Sequence, residues 1–314
     1  MKKFKLTENS IKWKGYTLYQ IKALQAFTTN SGTEISEGEL GGWVEKEDNL
    51  SQEGSAWIWK DAKVYGTSKV YGDAEVYGNA IVWGNAKVCG TAQICGDTKI
   101  GGNAEIWGAT KICGNSKISG NAEVWGAATI WGNAKVAGDA KVAGNSKISD
   151  YAVIRDDAEI WNNATIYGNA EILEGAVVRD NAEVAGDAKI FGNAAIKGNA
   201  KVDGKAIIFG DSEVWGDAII TGCSKVFGDA KIGGDAFISS PDNIMTVTPL
   251  GRYRVSLTFF KTKENSIKVS YNWDIYTLEK FQSVMNDWTE EEIEVAKAVI
   301  EAAKLQLNFS SNEK

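Results

Sequence analysis

The chain has no histidine, only two prolines, and no run of apolar residues approaching the ~18 that a membrane-crossing helix needs. Each absence removes a class of function. Without histidine, the commonest general base and a leading metal ligand are missing. The opening MKKFKLTENS has lysines but no apolar segment behind them, so neither a membrane anchor nor a secretory leader is expected. Basic charge is also scarce. Lys and Arg number 34 against 41 Asp and Glu, a net charge of −7 with both signs interspersed, so no basic stripe suits a phosphate backbone. These features predict a cytoplasmic setting, with no membrane and no nucleic-acid polymer as partner. None of the four cysteines forms a CxxC pair, and in a chain of 314 residues they read as reduced thiols rather than a disulfide framework.

What the sequence does have is repetition. From Asp61 to Ser240 it reads, without insertion or deletion, as thirty hexads framed so that Val64 is position 4. Position 4 is Val or Ile in all thirty, and position 2 is Ala, Ser or Thr in all thirty. Position 6 is mostly Gly and position 1 commonly Asn or Asp. A period of six with one β-branched residue per period does not fit a helix, whose faces recur at 3.6. It fits a short strand followed by a sharp corner. Positions 3 to 5 form the strand, with position 4 inward and positions 3 and 5 outward. Gly and Asn or Asp tolerate the left-handed backbone of the corner.

Three corners close a triangle, so one coil takes eighteen residues and the run makes about ten coils. The predicted fold is an all-β solenoid, a triangular parallel β-helix spanning 43–240 with its strict repeat at 61–240. Residues 1–42 read as a small β-rich cap. The hexad stops at Pro241, and 241–314 read as a separate α+β unit. There RVSLTFF and SIKVSYNW look like a hairpin, and TLEKFQSVMNDW and TEEEIEVAKAVIEAAKLQL like two helices. The second opens on a capping box from Thr289 to Glu292. The tail from Ser310 is expected to fray.

An aliphatic residue followed four later by a small one, as in Val70 with Ala74, Val76 with Ala80 and Val82 with Ala86, resembles the hexapeptide-repeat, left-handed parallel β-helix. The resemblance covers about 180 residues. Left-handedness is what the resemblance implies, since the spacing alone equally permits a right-handed triangular helix such as that of the bactofilins. Upstream, LGGWVEKEDNLSQEGSAWI, Leu40 to Ile58, resembles the first segment of YdcK-type hexapeptide-repeat proteins. Similar chains are often labelled polymer-forming cytoskeletal protein and are often phage-related. The resemblance thus implies a bacterial or phage setting.

Many left-handed hexapeptide helices are acyltransferases, in which a histidine deprotonates the acceptor and an extruded loop covers acyl-CoA. This chain has neither histidine nor an extruded loop. Glu105 or Glu123 on an open face lacks the desolvation that would raise a carboxylate to a useful base. An unconventional acyltransferase is therefore the weakest reading, and no cofactor is expected. Cys89, Cys95 and Cys113 sit on flat faces and do not converge as zinc requires. Cys95 and Cys113, eighteen apart, stack on successive coils and have the spacing to pair, but a reducing compartment argues against it.

Sorting position 5 by steps of eighteen separates the outward faces. One carries Tyr71, Cys89, Trp107, Trp125, Ala143, Trp161, Arg179, Lys197 and Trp215, and every Trp in it is preceded two residues earlier by Glu. Glu105, Trp107, Glu123, Trp125, Glu159, Trp161, Glu213 and Trp215 are the candidate binding face. A second ladder, Leu173, Phe191, Phe209 and Phe227 with Ile207 beside Phe209, is a candidate apolar contact patch unless the C-terminal helices fold back over it. The expected function is a non-enzymatic, rigid β-helical scaffold that presents aromatic faces to a protein partner or to itself. The alternative is a protein that binds a carbohydrate or nucleotide-type ligand through the Trp and Glu face.

Overall fold

The computed structural model describes residues 2–250, 255–285 and 288–309; the tail from Ser310 lies outside them. The fold is a parallel β-solenoid of about eleven coils, with an antiparallel sheet and a small helical region in the C-terminal part. Its coils fall in two compact units, Met1–Asn163 and Ala164–Lys314. Among the described residues no helix is long and apolar enough to cross a membrane.

Strands recur every six residues from Lys63–Val64 to Phe237–Ile238. Each holds two residues rather than the predicted three, yet position 5 still joins the ladder: the Tyr71 amide donates to the Val88 carbonyl at 3.0 Å. Strands eighteen residues apart pair in parallel register, Lys69 with Lys87 and Val70 with Val88. The Val and Ile side chains of position 4 therefore stack in the interior, and none is more than 1 % exposed.

The ladder has a direction. Position 3 and position 1 amides donate the same way as position 5: Lys69 to Ala86 at 2.9 Å and Asp73 to Gly90 at 2.8 Å. Within each unit the coils thus turn their amides toward the coil that follows and their carbonyls toward the one before. Corner side chains repeat the pattern, since the Asn85 amide donates to Asn103 at 2.8 Å, Asn103 to Asn121 at 2.8 Å and Asn121 to Asp139 at 2.7 Å.

In Met1–Asn163, the strand Leu40–Val44 pairs in parallel with Lys63–Val64 and antiparallel with Tyr16–Ala23, which pairs in turn with Phe4–Trp13. This hairpin occupies a sheet edge that would otherwise be open to another chain. Trp57–Ile58 pairs with Glu75–Val76, adding the coil that precedes the strict repeat. The hairpin also buries two outward residues, Tyr65 and Ile81, against Leu18. Glu75, 2 % exposed, accepts hydrogen bonds from the Ser31 amide at 2.8 Å, the Ser31 hydroxyl at 3.0 Å and the Trp59 indole at 3.3 Å. It pins the small hairpin Phe27–Thr28 and Glu34–Ile35 to the coils.

The carbonyls of the first coil meet Lys3. Its ammonium donates to the carbonyls of Glu53, Gly54 and Ala56 at 3.4, 3.1 and 2.9 Å, and it lies 5.7 Å from the centre of the Phe27 ring. Burial, opposed by the Asp73 carboxylate, lowers its pKa to about 8.

Cys95 and Cys113 are joined in a disulfide, which corrects the expectation of reduced thiols there. The reason lies in the register: stacked position 5 residues bring the two Cα atoms to 4.5 Å, within the span a disulfide bridges. Cys89 and Cys223 remain free. Thiol titration of the denatured, unreduced protein is expected to find two reactive cysteines, rising to four after reduction. Closing an eighteen-residue loop should stabilise the oxidised chain by about 3 kcal/mol, read as a lower melting temperature for Cys113→Ser. Four thiols before reduction would refute the pairing.

In Ala164–Lys314 the coils give way to a four-stranded antiparallel sheet, Ile244–Leu250, Val255–Lys261, Ile267–Tyr271 and Asp274–Thr277 in that order. The expected hairpin is its central pair. The outer strands were hidden because one contains Pro249, a residue that argues against a strand, and the other has four residues. Helices α1 (Leu278–Val284) and α2 (Glu290–Phe309) follow. The Thr289 to Glu292 capping box forms, with the Glu292 amide donating to Thr289 Oγ1 at 3.3 Å and the Thr289 amide to Glu292 Oε2 at 2.9 Å. Leu257, Phe259 and Val269 of the sheet pack with Phe281, Ile300 and Leu307 in a core of their own. Amides at the end of the coils find acceptors: Ser239 and Ser240 donate to Asn243 Oδ1, both at 3.1 Å, and Lys231 to Thr258 Oγ1 at 3.0 Å.

Candidate functional site

Six of the eight predicted strip residues lie together in Met1–Asn163. The register runs Lys69, Lys87, Glu105, Glu123, Lys141, Glu159 at position 3, with Tyr71, Cys89, Trp107, Trp125, Ala143 and Trp161 beside them at position 5. Trp107 and Trp125 stack with ring centres 5.0 Å apart and planes 5° from parallel. Trp125 and Trp161 are two coils apart, yet their centres are 5.3 Å apart at 81°. The two rings lean over Ala143 and leave it 2 % exposed. Lys87 pairs with Glu105 at 2.7 Å. Lys141 pairs with Glu159 at 3.5 Å, and the Trp161 indole donates to Glu159 Oε2 at 2.9 Å. From Trp107 to Trp161 the strip is a closed aromatic surface.

At the Cys89 rung the strip opens. A cavity of about 240 Å³ lies between Tyr71 and Trp107, with Cys89 at its floor and Lys87 and Glu105 at its edge. A larger cavity of about 740 Å³ shares Tyr71 and Lys87 and extends past Lys69 to Asp48 and Ser51. The neighbouring Cys89 thiol, burial and the nearby Glu105 charge push the Tyr71 phenol up to about 12. Position 5 alternation located the rings. Only the three-dimensional arrangement distinguishes a small residue that is covered, Ala143, from one that is not, Cys89.

The remaining two strip residues, Glu213 and Trp215, belong to the second unit. Glu213 is held by Lys197 at 2.7 Å and Lys231 at 2.6 Å. Burial pushes its carboxyl up, but the hydrogen bonds from Lys197 and Lys231 outweigh this and hold it below the ordinary carboxylate range. Trp273 lies over the group, with Lys231 4.0 Å and Lys197 5.0 Å from its ring centre and Trp215 6.2 Å away. Sequence reasoning placed Trp273 at the end of a strand. It instead occupies the two-residue turn Asn272–Trp273, at φ 48 and 73, where glycine is the usual second residue. The contacts with both lysines hold the indole in that conformation.

The second ladder is also formed in this unit. Phe191 and Phe209 stack at 5.1 Å and 7°, Phe209 and Phe227 at 5.6 Å and 20°, with Leu173 and Ile207 half-buried. Helix α2 approaches its margin, where the Gln306 side-chain amide donates to the Ile244 carbonyl at 3.0 Å. A cavity of about 300 Å³ lies between Phe227 and this segment, and Phe227 remains 58 % exposed. The helices do not cover the end of the ladder. No protein-family model matches this chain, and no curated protein matches it.

Proposed function

We propose that the chain is a non-enzymatic, rigid scaffold of the left-handed hexapeptide-repeat β-helix type, which presents aromatic faces to a protein partner or to a second copy of itself. A bacterial or phage-infected cytoplasm is its setting on this reading. The observation that carries it is the three-ring Phe ladder, whose last ring stays 58 % exposed although a helical segment folds beside it. An apolar surface of that kind on a stiff sheet is the usual signature of contact. The non-enzymatic part is supported by Glu213, where two ion pairs hold the carboxyl in its charged form rather than raising it toward a useful base.

Light scattering after size exclusion, run on the intact chain and on a Phe209→Ser, Phe227→Ser variant, tests it. The expected result is an assembly of at least two wild-type chains that falls to one in the variant. Equal masses for both remove the Phe face from the reading. A second reading, ligand binding at the Trp and Glu face, is favoured by the open cavity over Cys89.

A further inference from the structure

Where a small residue follows a tryptophan in these ladders, the ring before it closes the gap. The Trp83 ring fills the space a Cβ on Gly101 would take, the Trp215 ring does the same at Gly233, and Ala143 is covered by Trp125 and Trp161. At Cys89 the gap stays open. The thiol remains partly exposed, and the cavity of about 240 Å³ sits against the face of Trp107 that points away from Trp125. It is one rung deep, because Tyr71, Cys89 and Trp107 are successive rungs.

We propose that this slot binds a purine nucleotide, with the base stacked on Trp107 below Tyr71 and the phosphate at Lys69. The proposal deepens the ligand-binding reading of the Trp and Glu face and is independent of docking at the Phe ladder. Three features of the slot select the ligand. Its neighbour in the ladder is an indole, and a purine is a fused six-five bicycle of the same outline, able to continue the Trp107–Trp125 stack from the other side. Its edge carries Glu105 and Lys87, each about half exposed and, among the described residues, ion-paired only with one another across 2.7 Å, so an acceptor and a donor face the rim of the base. Guanine presents adjacent N1–H and 2-amino donors to a carboxylate, and adenine has no N1–H to give; guanine is therefore preferred.

The third feature is the larger cavity that opens from Tyr71 and Lys87. Its charged groups are Lys2, Glu47, Asp48, Lys69 and Lys87. Lys2 and Glu47 neutralise each other at 2.7 Å, as Lys87 and Glu105 do. Lys69 is exposed and has no ion pair among the described residues, which leaves it to meet an anionic arm. Asp48 and Ser51 supply hydrogen-bonding groups for ribose hydroxyls. A pyranose also stacks on indole, but its chair is not planar and it brings no anion to Lys69.

Titration calorimetry of the intact chain with GMP, AMP, guanosine and maltohexaose tests the assignment. GMP is expected to bind saturably at one site per chain, with guanosine about tenfold weaker for want of the phosphate. Lys69→Ala should weaken GMP to the level of guanosine and leave guanosine unchanged. Cys89→Trp supplies the missing rung and should lose GMP by about 30-fold or more with an unchanged melting temperature. Should Cys89→Trp not fold, nuclear Overhauser contacts between GMP H8 and the Trp107 ring in the wild type decide the question. GMP binding that survives Cys89→Trp, absent H8 contacts, or no saturable nucleotide binding overturns the proposal. Saturable maltohexaose binding without nucleotide binding overturns the purine assignment alone; binding of neither overturns the ligand-binding reading as well.

Discussion

Replacing Gly108 with valine is expected to destabilise Met1–Asn163 by about 3 kcal/mol or more, whereas Gly108→Asp should cost about 1 kcal/mol. Gly108 holds a corner at φ 76, and a Cβ there would stand 2.6 Å from the Gly126 carbonyl oxygen and 3.0 Å from its amide nitrogen. Both contacts are backbone, so any side chain at 108 requires a small shift of the corner, and the two variants differ in how well each tolerates the left-handed backbone. Valine adds a β-branched side chain to a left-handed backbone it strongly disfavours. Short polar residues have a precedent at these corners: Asn162 holds φ 61 in the same column as Gly108, and Asp150 and Asp156 hold φ 58 and 61 in the other two columns. Short polar side chains tolerate this region far better than branched ones. In a solenoid each coil is stabilised mainly by its neighbours, so the loss should appear as a lower urea midpoint with local opening of the coils around residue 108. Equal midpoints for the two variants would contradict the corner geometry.

Lys3→Ala is the second large effect, with an expected loss of about 2 to 4 kcal/mol at pH 7. The variant leaves the Glu53, Gly54 and Ala56 carbonyls without their donor and empties the space under Phe27. Its pH dependence carries a distinctive sign. The Lys3 pKa is lowered from 10.5 to about 8 on folding. Between those two values the unfolded chain keeps a proton that the folded chain has released, so the contribution of Lys3 to stability rises with pH across that window. Below about pH 8 both states hold the proton and the contribution is constant. The gap between wild type and Lys3→Ala should therefore widen by on the order of 2 kcal/mol from pH 7 to pH 10. Tyrosine ionisation, common to both proteins, cancels in the comparison. Parallel stability curves would show that the ammonium is not buried as described.

The core of the coils was legible in the sequence because it depends on periodicity alone: once Val64 sets the phase, every inward residue to Ile238 follows by arithmetic, and all are buried. Which residues share an outward ladder was legible for the same reason. What covers a ladder was not. Ala143 and Cys89 are both small residues at position 5, and their fates differ through ring tilts that no spacing records. Trp273 reaches Lys197 and Lys231 from a turn more than forty residues downstream. Lys3 looked like one more basic residue near the start, because its carbonyl partners lie about fifty positions away. The Cys95–Cys113 bond was permitted by spacing and set aside on compartment, an inference from composition that the register overrides.

The one-way hydrogen bonding of the coils gives the chain a plug and a socket. The coil around Gly54 and Ala56 offers carbonyl oxygens, which need a donor and receive the Lys3 ammonium. The coil around Ser239 and Ser240 offers amides, which need an acceptor and receive the Asn243 side-chain oxygen. The two needs are complementary, so the amides left by a missing Asn243 on one copy match the carbonyls left by a missing Lys3 on another. Loss of one stopper alone exposes a face with nothing to mate, because the matching face of every other copy is still closed. Open-ended growth therefore requires two independent failures, and each segment outside the repeat acts as a terminator for the whole population rather than for its own chain alone.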